Sequence, residues 1–280
     1  MDAYWYDDTY EDQIRLGLKV RAQLYAQKSQ FQQIEIIDTL TFGRVLVLDG
    51  VYQTSEVDEY RYHEMLVHPA MVSAPAIARV LIIGGGDGGT AREVLRHRGV
   101  ERAVMAEIDG GVVEACREHM PALGAGAWED PRLDLQLTDG VAYVKGAAPA
   151  SFDVIILDGP DPTGPAEGLY AAEFYQDVQR ALTPGGVFAL HAESPVVVGH
   201  LFEKVLTSLA AVFPQVHPYF GSVPLYGTGP WAWCLAGASV DPLALHEDRA
   251  PAIERDTRYY NRAIHRAAFV LPNEIARERW

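Results

Sequence analysis

Cysteine is nearly absent. Only Cys116 and Cys234 occur in 280 residues, with no Cys-x-x-Cys pair. That excludes a disulfide framework and a cysteine-rich zinc site. Long apolar runs are missing as well. None approaches the roughly 18 residues that a membrane span needs. The opening MDAYWYDDTYED is acidic and aromatic, without the basic start and apolar core of a signal peptide. The expected compartment is the cytoplasm. Positive charge is also short: 23 Lys and Arg stand against 38 Asp and Glu, a formal net charge of −15. Such a surface repels phosphate backbones and anionic lipid. Nucleic acid and membrane are therefore poor partners, and small cations such as amines are favoured. With 49% of residues apolar, the chain can bury a sizeable core, which excludes disorder over most of its length.

What is present falls into two rhythms. Up to about residue 65 the chain carries short runs rich in Ile, Val and Leu, at 30–39 and 43–50, with a third at 51–56. Gly43 and Asp49-Gly50 supply the turns, so the pattern predicts a small antiparallel sheet. Residues 58–73 have the spacing of a helix. From residue 79 apolar runs alternate with helical stretches. Strands are predicted at 79–86, 103–109, 133–140, 152–161 and 186–193, and helices at 90–99, 112–121 and 172–186. That alternation means βαβ units and a parallel sheet covered on both faces. Runs at 215–224 and 230–239 can complete the sheet as a hairpin. The division expected is 1–65 and 66–280.

Ligands of such sheets bind outside the carboxyl ends of the strands. The first strand ends in Gly84-Gly85-Gly86-Asp87-Gly88-Gly89, which satisfies G-x-G-x-x-G before a helix. Glu107 ends the next strand, where an acid can accept from ribose hydroxyls. Asp139-Gly140 follows the third strand. A carboxylate there can accept from an exocyclic adenine amine. Nothing basic sits in the glycine loop, and Asp87 lies inside it. A dinucleotide pyrophosphate would meet that carboxylate, whereas a sulfonium nucleoside would be welcomed. The fourth strand ends in Asp158-Gly-Pro-Asp161. These two carboxylates suit an amine, both by charge-assisted hydrogen bonds and by taking the proton an attacking amine loses. His63 and His68 are five apart and miss the shared face of a helical zinc site, so no metal is expected.

Several stretches together resemble the polyamine aminopropyltransferase (spermidine synthase) family. They are LVLDGVYQTSEVDEYRYHEMLVHPA (46–70), VLIIGGGDGGTAREVLRH (80–97), EID (107–109), DPR (130–132), TDG (138–140), FDVIILD (152–158), DPTGPAEGLY (161–170), EFY (173–175) and YYNRAIHRAAFVLP (259–272). They follow in order over almost the whole chain. The resemblance implies an α/β fold: a Rossmann-like, class I methyltransferase-type sheet behind a small N-terminal antiparallel β domain. It implies transfer of an aminopropyl group from decarboxylated S-adenosylmethionine, a co-substrate, to an amine, releasing methylthioadenosine, with no cofactor. It also implies self-association as a homodimer or homotetramer.

By position, Gln32 and Asp87 resemble contacts to the donor's aminopropyl arm, with His63 nearby and Gly84 and Gly86 in the donor loop. Glu107 resembles the ribose ligand, and Asp139 with Gly140 the adenine contacts. Asp158 resembles the base toward the attacking amine. Tyr62, Asp161 and Tyr226 resemble the acceptor set, to which Gln53 and His191 are added. The charge flow agrees. Sulfur loses positive charge in the transition state while nitrogen gains it, so Asp158 and Asp161 belong on the acceptor side.

The chain departs from the family pattern at three places. Gly159-Pro160 replaces a hydroxyl-bearing pair between the two acids, His191 stands where Gln is usual, and Val196 where an aromatic is usual. Putrescine, a longer amine such as spermidine, and agmatine all remain open as acceptors. Two rival readings are an S-adenosylmethionine-dependent amine N-methyltransferase and a catalytically silent protein that binds polyamines or methylthioadenosine.

Overall fold

The computed structural model describes residues 3–162 and 164–276. Its N-terminal sheet has five antiparallel strands in chain order: β1 (Tyr4–Tyr10), β2 (Ile14–Lys28), β3 (Gln33–Thr39), β4 (Gly43–Leu48) and β5 (Val51–Ser55). The predicted strands are β3, β4 and β5. Asp49 and Gly50 turn β4 into β5 with φ of 48° and 90°, the positive values a two-residue hairpin needs. The hairpin of β1 and β2 was not expected. Its two faces are both largely exposed, so it lacks the apolar alternation that reveals a half-buried strand.

Helix α1 (Glu59–Ser73) leads into a seven-stranded sheet. The strands are β6 (Arg79–Gly84), β7 (Arg102–Glu107), β8 (Leu133–Leu137), β9 (Phe152–Asp158), β10 (Leu182–Glu193), β11 (Gln215–Ser222) and β12 (Pro230–Gly237). Their order is β11-β12-β10-β9-β6-β7-β8. Strands β10, β9, β6, β7 and β8 run parallel, and β12 pairs antiparallel with both β10 and β11. Helices α2 (Gly89–Leu95), α3 (Gly110–His119), α4 (Gly140–Gly146), α5 (Ala172–Ala181) and α6 (Gly199–Ala210) connect the strands, and three short helices follow β12. Buried side chains pack on both faces of the sheet, with Val80 and Ile82 in one cluster and Leu81 and Ile83 in the other. Continuous apolar runs are the signature of strands buried on both sides. This is the Rossmann-like α/β architecture with a small N-terminal β sheet.

Some boundaries moved. Helix α2 stops at Leu95 because the Arg132 guanidinium takes the carbonyls of Leu95, His97 and Val100 at 2.7, 3.3 and 3.3 Å. Helix α5 ends at Ala181 and β10 already begins at Leu182, inside the 172–186 span expected to be helical. Its register against β9 slips between Leu182 and Val187, so regular pairing starts where the strand was expected. Helices α4 and α6 were not read from the sequence. Residue 65 lies inside α1.

The chain turns outward from β6 through β7 to β8, then returns to place β9 on the other side of β6. Gly84 pairs with Asp158 across that junction. The crevice at the carboxyl ends of β6 and β9 is the topological switch point, where such sheets bind ligands.

Candidate active site

The glycine loop is shaped first by its neighbours. Gly84 has φ +80°, and a β-carbon there would lie 2.1 Å from the carbonyl oxygen of Asp158. Only glycine lets β6 and β9 close so tightly. Asp87 caps the next helix: its Oδ1 accepts from the Gly89 amide at 2.7 Å. Its Oδ2 faces His63 Nε2 at 3.3 Å, while His63 Nδ1 stands 2.7 Å from Glu59 Oε2. Burial alone would depress the His63 imidazole, but Asp87 and Glu59 raise it well above its ordinary range. His63, the Gly89 amide and Arg92 in turn hold Asp87 low against its burial. The charge of Asp87 is thus already matched, which the loop sequence alone does not disclose.

The residues expected on the nucleoside side lie at the end of β7 (Glu107) and just after β8 (Asp139, Gly140). Glu107 is buried, accepts from the Asp109 amide at 2.8 Å, and faces the α-carbon of Gly86. Burial pushes its carboxyl up to about 7. Asp139 Oδ1 caps α4 through the Val141 amide at 2.8 Å. Gly140 is pressed on Ile83, where a β-carbon would come within 2.4 Å. A cleft of about 580 Å³ opens here, lined by Ser29, Phe31, Ile108, Asp109, Leu137 and Asp139 among others. Gln32 borders the same cleft. Its amide donates to Asp109 Oδ2 at 2.9 Å, beside Ser29 Oγ at 2.6 Å, and so ties the β2–β3 loop to the start of α3.

Across the crevice, Asp158 accepts the Tyr62 hydroxyl at Oδ1, 3.0 Å away. Its Oδ2 is buried and makes no hydrogen bond of ordinary length among the described residues, though the Thr90 hydroxyl lies near enough to pull the carboxyl down. Burial raises the Asp158 carboxyl, against the pull of the His63 cation. An aromatic wall stands beside it. The Tyr62 ring meets Tyr226 edge-on at 6.1 Å and Trp233 at 6.0 Å, and His191 stacks on Trp231 at 5.9 Å. Tyr226 donates its hydroxyl to the Gln53 carbonyl at 2.9 Å. The Gln53 side chain folds back on its own strand, to the Val51 carbonyl at 3.3 Å, so its backbone rather than its amide serves the wall.

Asp161, His191 and Glu193 bring one ligand atom each to within 4.8 Å of one another. The Tyr170 hydroxyl donates to the Pro160 carbonyl at 2.9 Å, so it is an acceptor toward His191 Nε2 at 2.7 Å. Nε2 also faces the Gly159 carbonyl at 3.0 Å. Two acceptors around Nε2 place the ring proton there and leave Nδ1 a bare lone pair. Nδ1 and Glu193 Oε1 lack hydrogen-bond partners among the described residues, while the Glu193 carboxyl also bonds that of Asp161. Burial keeps His191 neutral, lifts Glu193 to about 7, and with Glu193 raises Asp161 well above the carboxylate range. Gly159-Pro160 and His191, separate departures in the sequence, are therefore one contact: the ring takes the backbone carbonyl of the altered pair. Val196 is 68% exposed and covers nothing.

Glu193 was missed. It is 1% exposed, holds φ +68°, and sits at a bulge against β12. A positive φ at a buried acid is strained backbone held in place by its surroundings. The rule applied to the other strands, an acid at a carboxyl end, would have found it in LHAE. Asp8 was missed too. It is 1% exposed, accepts from the Tyr52 amide at 3.1 Å, and is pushed up to about 6 by burial, with the Asp161 charge adding to the rise.

The comparisons with known proteins agree over the whole chain. Residues 59–242 match the model of the spermine/spermidine synthase domain, and residues 4–56 that of the spermidine synthase tetramerisation domain. The polyamine aminopropyltransferase of Prochlorococcus marinus (strain MIT 9313) is 43% identical over 279 residues, covering 98% of this chain and 96% of that one. That of Thermoanaerobacter sp. (strain X514) is 40% identical over 271 residues, covering 97% and 96%. Among solved structures, a spermidine synthase in complex with the transition-state analogue AdoDATO superposes with a TM-score of 0.93 at 37% identity, over 97% of this chain and 93% of that one. The Thermotoga maritima spermidine synthase gives 0.91 at 37% identity, over 97% and 92%.

Proposed function

This chain belongs to the spermine/spermidine synthase family, and from that premise we propose how its residues carry out the family's reaction. The protein is an aminopropyltransferase of polyamine biosynthesis. It moves an aminopropyl group from decarboxylated S-adenosylmethionine to a polyamine acceptor and releases methylthioadenosine.

In our reading the nucleoside lies in the cleft along Asp139 and Glu107, with the donor's reacting arm at His63 and Asp87. The acceptor lies along the Tyr62 and Tyr226 wall. Its attacking nitrogen stands at Asp158, and its second nitrogen among Asp161, His191 and Glu193. The observation that carries this reading is the unpartnered Oδ2 of Asp158 at the switch point. A raised carboxylate with one free oxygen is poised to accept a proton. The nitrogen attacks carbon in line, the carbon–sulfur electron pair goes to sulfur, and the proton of the new ammonium passes to Asp158. Most of the acceleration comes from aligning nitrogen, carbon and sulfur. The acids on the acceptor side also oppose the carboxylate of undecarboxylated S-adenosylmethionine, which disfavours methyl transfer.

The acceptor site favours a chain with an ammonium beyond the attacking nitrogen, since His191 Nδ1 and Glu193 Oε1 both wait for a donor. Gly159 and Val196 leave room for an amine longer than putrescine. We further propose that the chain self-associates through its N-terminal sheet, as a dimer or tetramer, and acts in the cytoplasm. The match of residues 4–56 to a tetramerisation domain supports the first. For the second, no helix among the described residues is long and apolar enough to cross a membrane.

Incubation with decarboxylated S-adenosylmethionine and a panel of putrescine, agmatine and spermidine, read by product mass, tests the acceptor assignment. An aminopropyl adduct on one of these amines is expected. Turnover that ignores the acceptor's second nitrogen, with simple monoamines served equally well, would contradict it.

A further inference from the structure

His63 is 1% exposed and has a carboxylate on each ring nitrogen: Glu59 Oε2 at 2.7 Å from Nδ1, and Asp87 Oδ2 at 3.3 Å from Nε2. A neutral imidazole donates from one nitrogen only, so the geometry calls for the doubly protonated ring. Glu59 has no freedom to turn away. The Arg92 guanidinium grips both its oxygens, at 3.0 and 2.8 Å, and is itself anchored on Glu93 at 2.7 Å and on the Leu123 carbonyl at 2.6 Å. Glu93 is fixed in turn by His68 at 3.0 Å, and His68 by His97 at 3.0 Å. The last glycine of the loop is fitted to this ring, since a β-carbon at Gly89 would fall 2.3 Å from His63 Cε1. The remaining neighbours are the Tyr62 ring, edge-on at 5.3 Å, and Asp158, which shares a 4.8 Å cluster with His63 and Asp87.

We propose that Glu59 and Arg92 are positioning residues that keep His63 doubly protonated against Asp87, so that the donor's sulfur meets a charge-matched pair instead of a bare carboxylate. The inference rests on the placement of the donor's reacting arm beside Asp87. As the carbon–sulfur bond breaks, its electron pair goes to sulfur and the sulfonium charge disappears. An unpaired carboxylate there would hold the ground state more tightly than the transition state and slow transfer. The imidazolium cancels that field. Asp87 and Glu59 together supply the charge that keeps the imidazolium, and Arg92 keeps Glu59 in place.

The first test is a nuclear magnetic resonance titration of the His63 ring in the ligand-free protein. The ring is expected to stay doubly protonated well above the ordinary histidine value of about 6.5 in the wild type. In Glu59→Gln its titration is expected to move down toward that value, with Asp87 still opposing the fall. The second test is kinetic. In Glu59→Gln, kcat falls by about tenfold while the KM for the donor does not rise, and activity falls as pH rises through the new histidine value. Glu59→Asp, which keeps the carboxylate, recovers part of the lost rate. A wild-type His63 that titrates near 6.5 overturns the proposal, even if Glu59→Gln fails to fold. So does a folded Glu59→Gln with unchanged kcat. Calorimetry of methylthioadenosine on the wild type separates the two levels. Failure to bind there would overturn the placement of the donor, whereas the ring titration reports only on Glu59 and His63.

Discussion

His191 Nδ1 stands 3.3 Å from Glu193 Oε1, with no hydrogen bond joining them. Two acceptors face each other in a buried place, held there by a backbone bulge and by the Tyr170 and Gly159 contacts on the far side of the ring. An ammonium with protons to give satisfies both. Removing the charge of one acceptor should weaken acceptor binding by the worth of a charge-assisted bond, roughly tenfold or more. Glu193→Gln is therefore expected to raise the acceptor KM by that factor, with methylthioadenosine affinity unchanged. Steady-state kinetics and calorimetry check the two halves. An unchanged acceptor KM would remove Glu193 from the site.

Stability should peak on the acid side of neutrality in the ligand-free protein. Burial raises Asp8 to about 6 and Glu107 and Glu193 to about 7. Groups raised in the folded state contribute stability below the ordinary carboxylate range and lose it as pH climbs through 6 to 7. Glu93 works the other way. Despite its burial, His68, Arg92 and Arg96 hold it down to about 2, so its contribution is lost as pH falls from about 4.5 toward 2. Thermal melts across pH are expected to show the highest Tm near about pH 4.5 and a decline up to about pH 7. A Tm that rises from pH 5 to 8 would contradict these assignments.

The junction of β6 and β9 tolerates no side chain. A β-carbon on Gly84 would lie 2.1 Å from the Asp158 carbonyl, at a φ that disfavours alanine. Gly84→Ala is expected to cost at least about 2 kcal/mol of stability and to displace Asp158, so activity and Tm fall together. Denaturant unfolding with a parallel rate assay measures both. Full activity at wild-type stability would show that the strands can part without harm.

Strand β1 is an unpaired edge of the N-terminal sheet, and this sheet leaves Trp5 64% exposed, with Tyr4, Ile14 and Leu24 also on the surface. Exposed edges of this kind are covered by partners. Light scattering on the wild type is expected to give a dimer or tetramer, and Trp5→Asp with Leu24→Asp a smaller species. A wild-type monomer would contradict the assembly proposed.

Most strands of the large sheet were legible as apolar runs bounded by glycine or acid, such as β6, β7 and β9, and the same ends pointed to Glu107 and Asp158 as candidates. The β1–β2 hairpin was not, since exposure on both faces erases the alternation. Nor was the partner of Asp87. The spacing of His63 and Glu59 on one helix is local, but their meeting with the loop depends on how α1 packs against α2. Glu193 was readable and passed over. The hydrogen bond of the Gln32 amide to Asp109 was not readable, because it joins the β2–β3 loop to α3 across the fold.

The central claim is that the free oxygen of Asp158 receives the proton of the attacking amine. A single-turnover experiment tests it, with decarboxylated S-adenosylmethionine bound first and the amine added second, in wild type and Asp158→Asn. A general base of this kind is worth roughly 100- to 10,000-fold. The account predicts a loss of that size in the rate of methylthioadenosine release from the variant, with methylthioadenosine bound as tightly as by the wild type. A variant that transfers at the wild-type rate would contradict it.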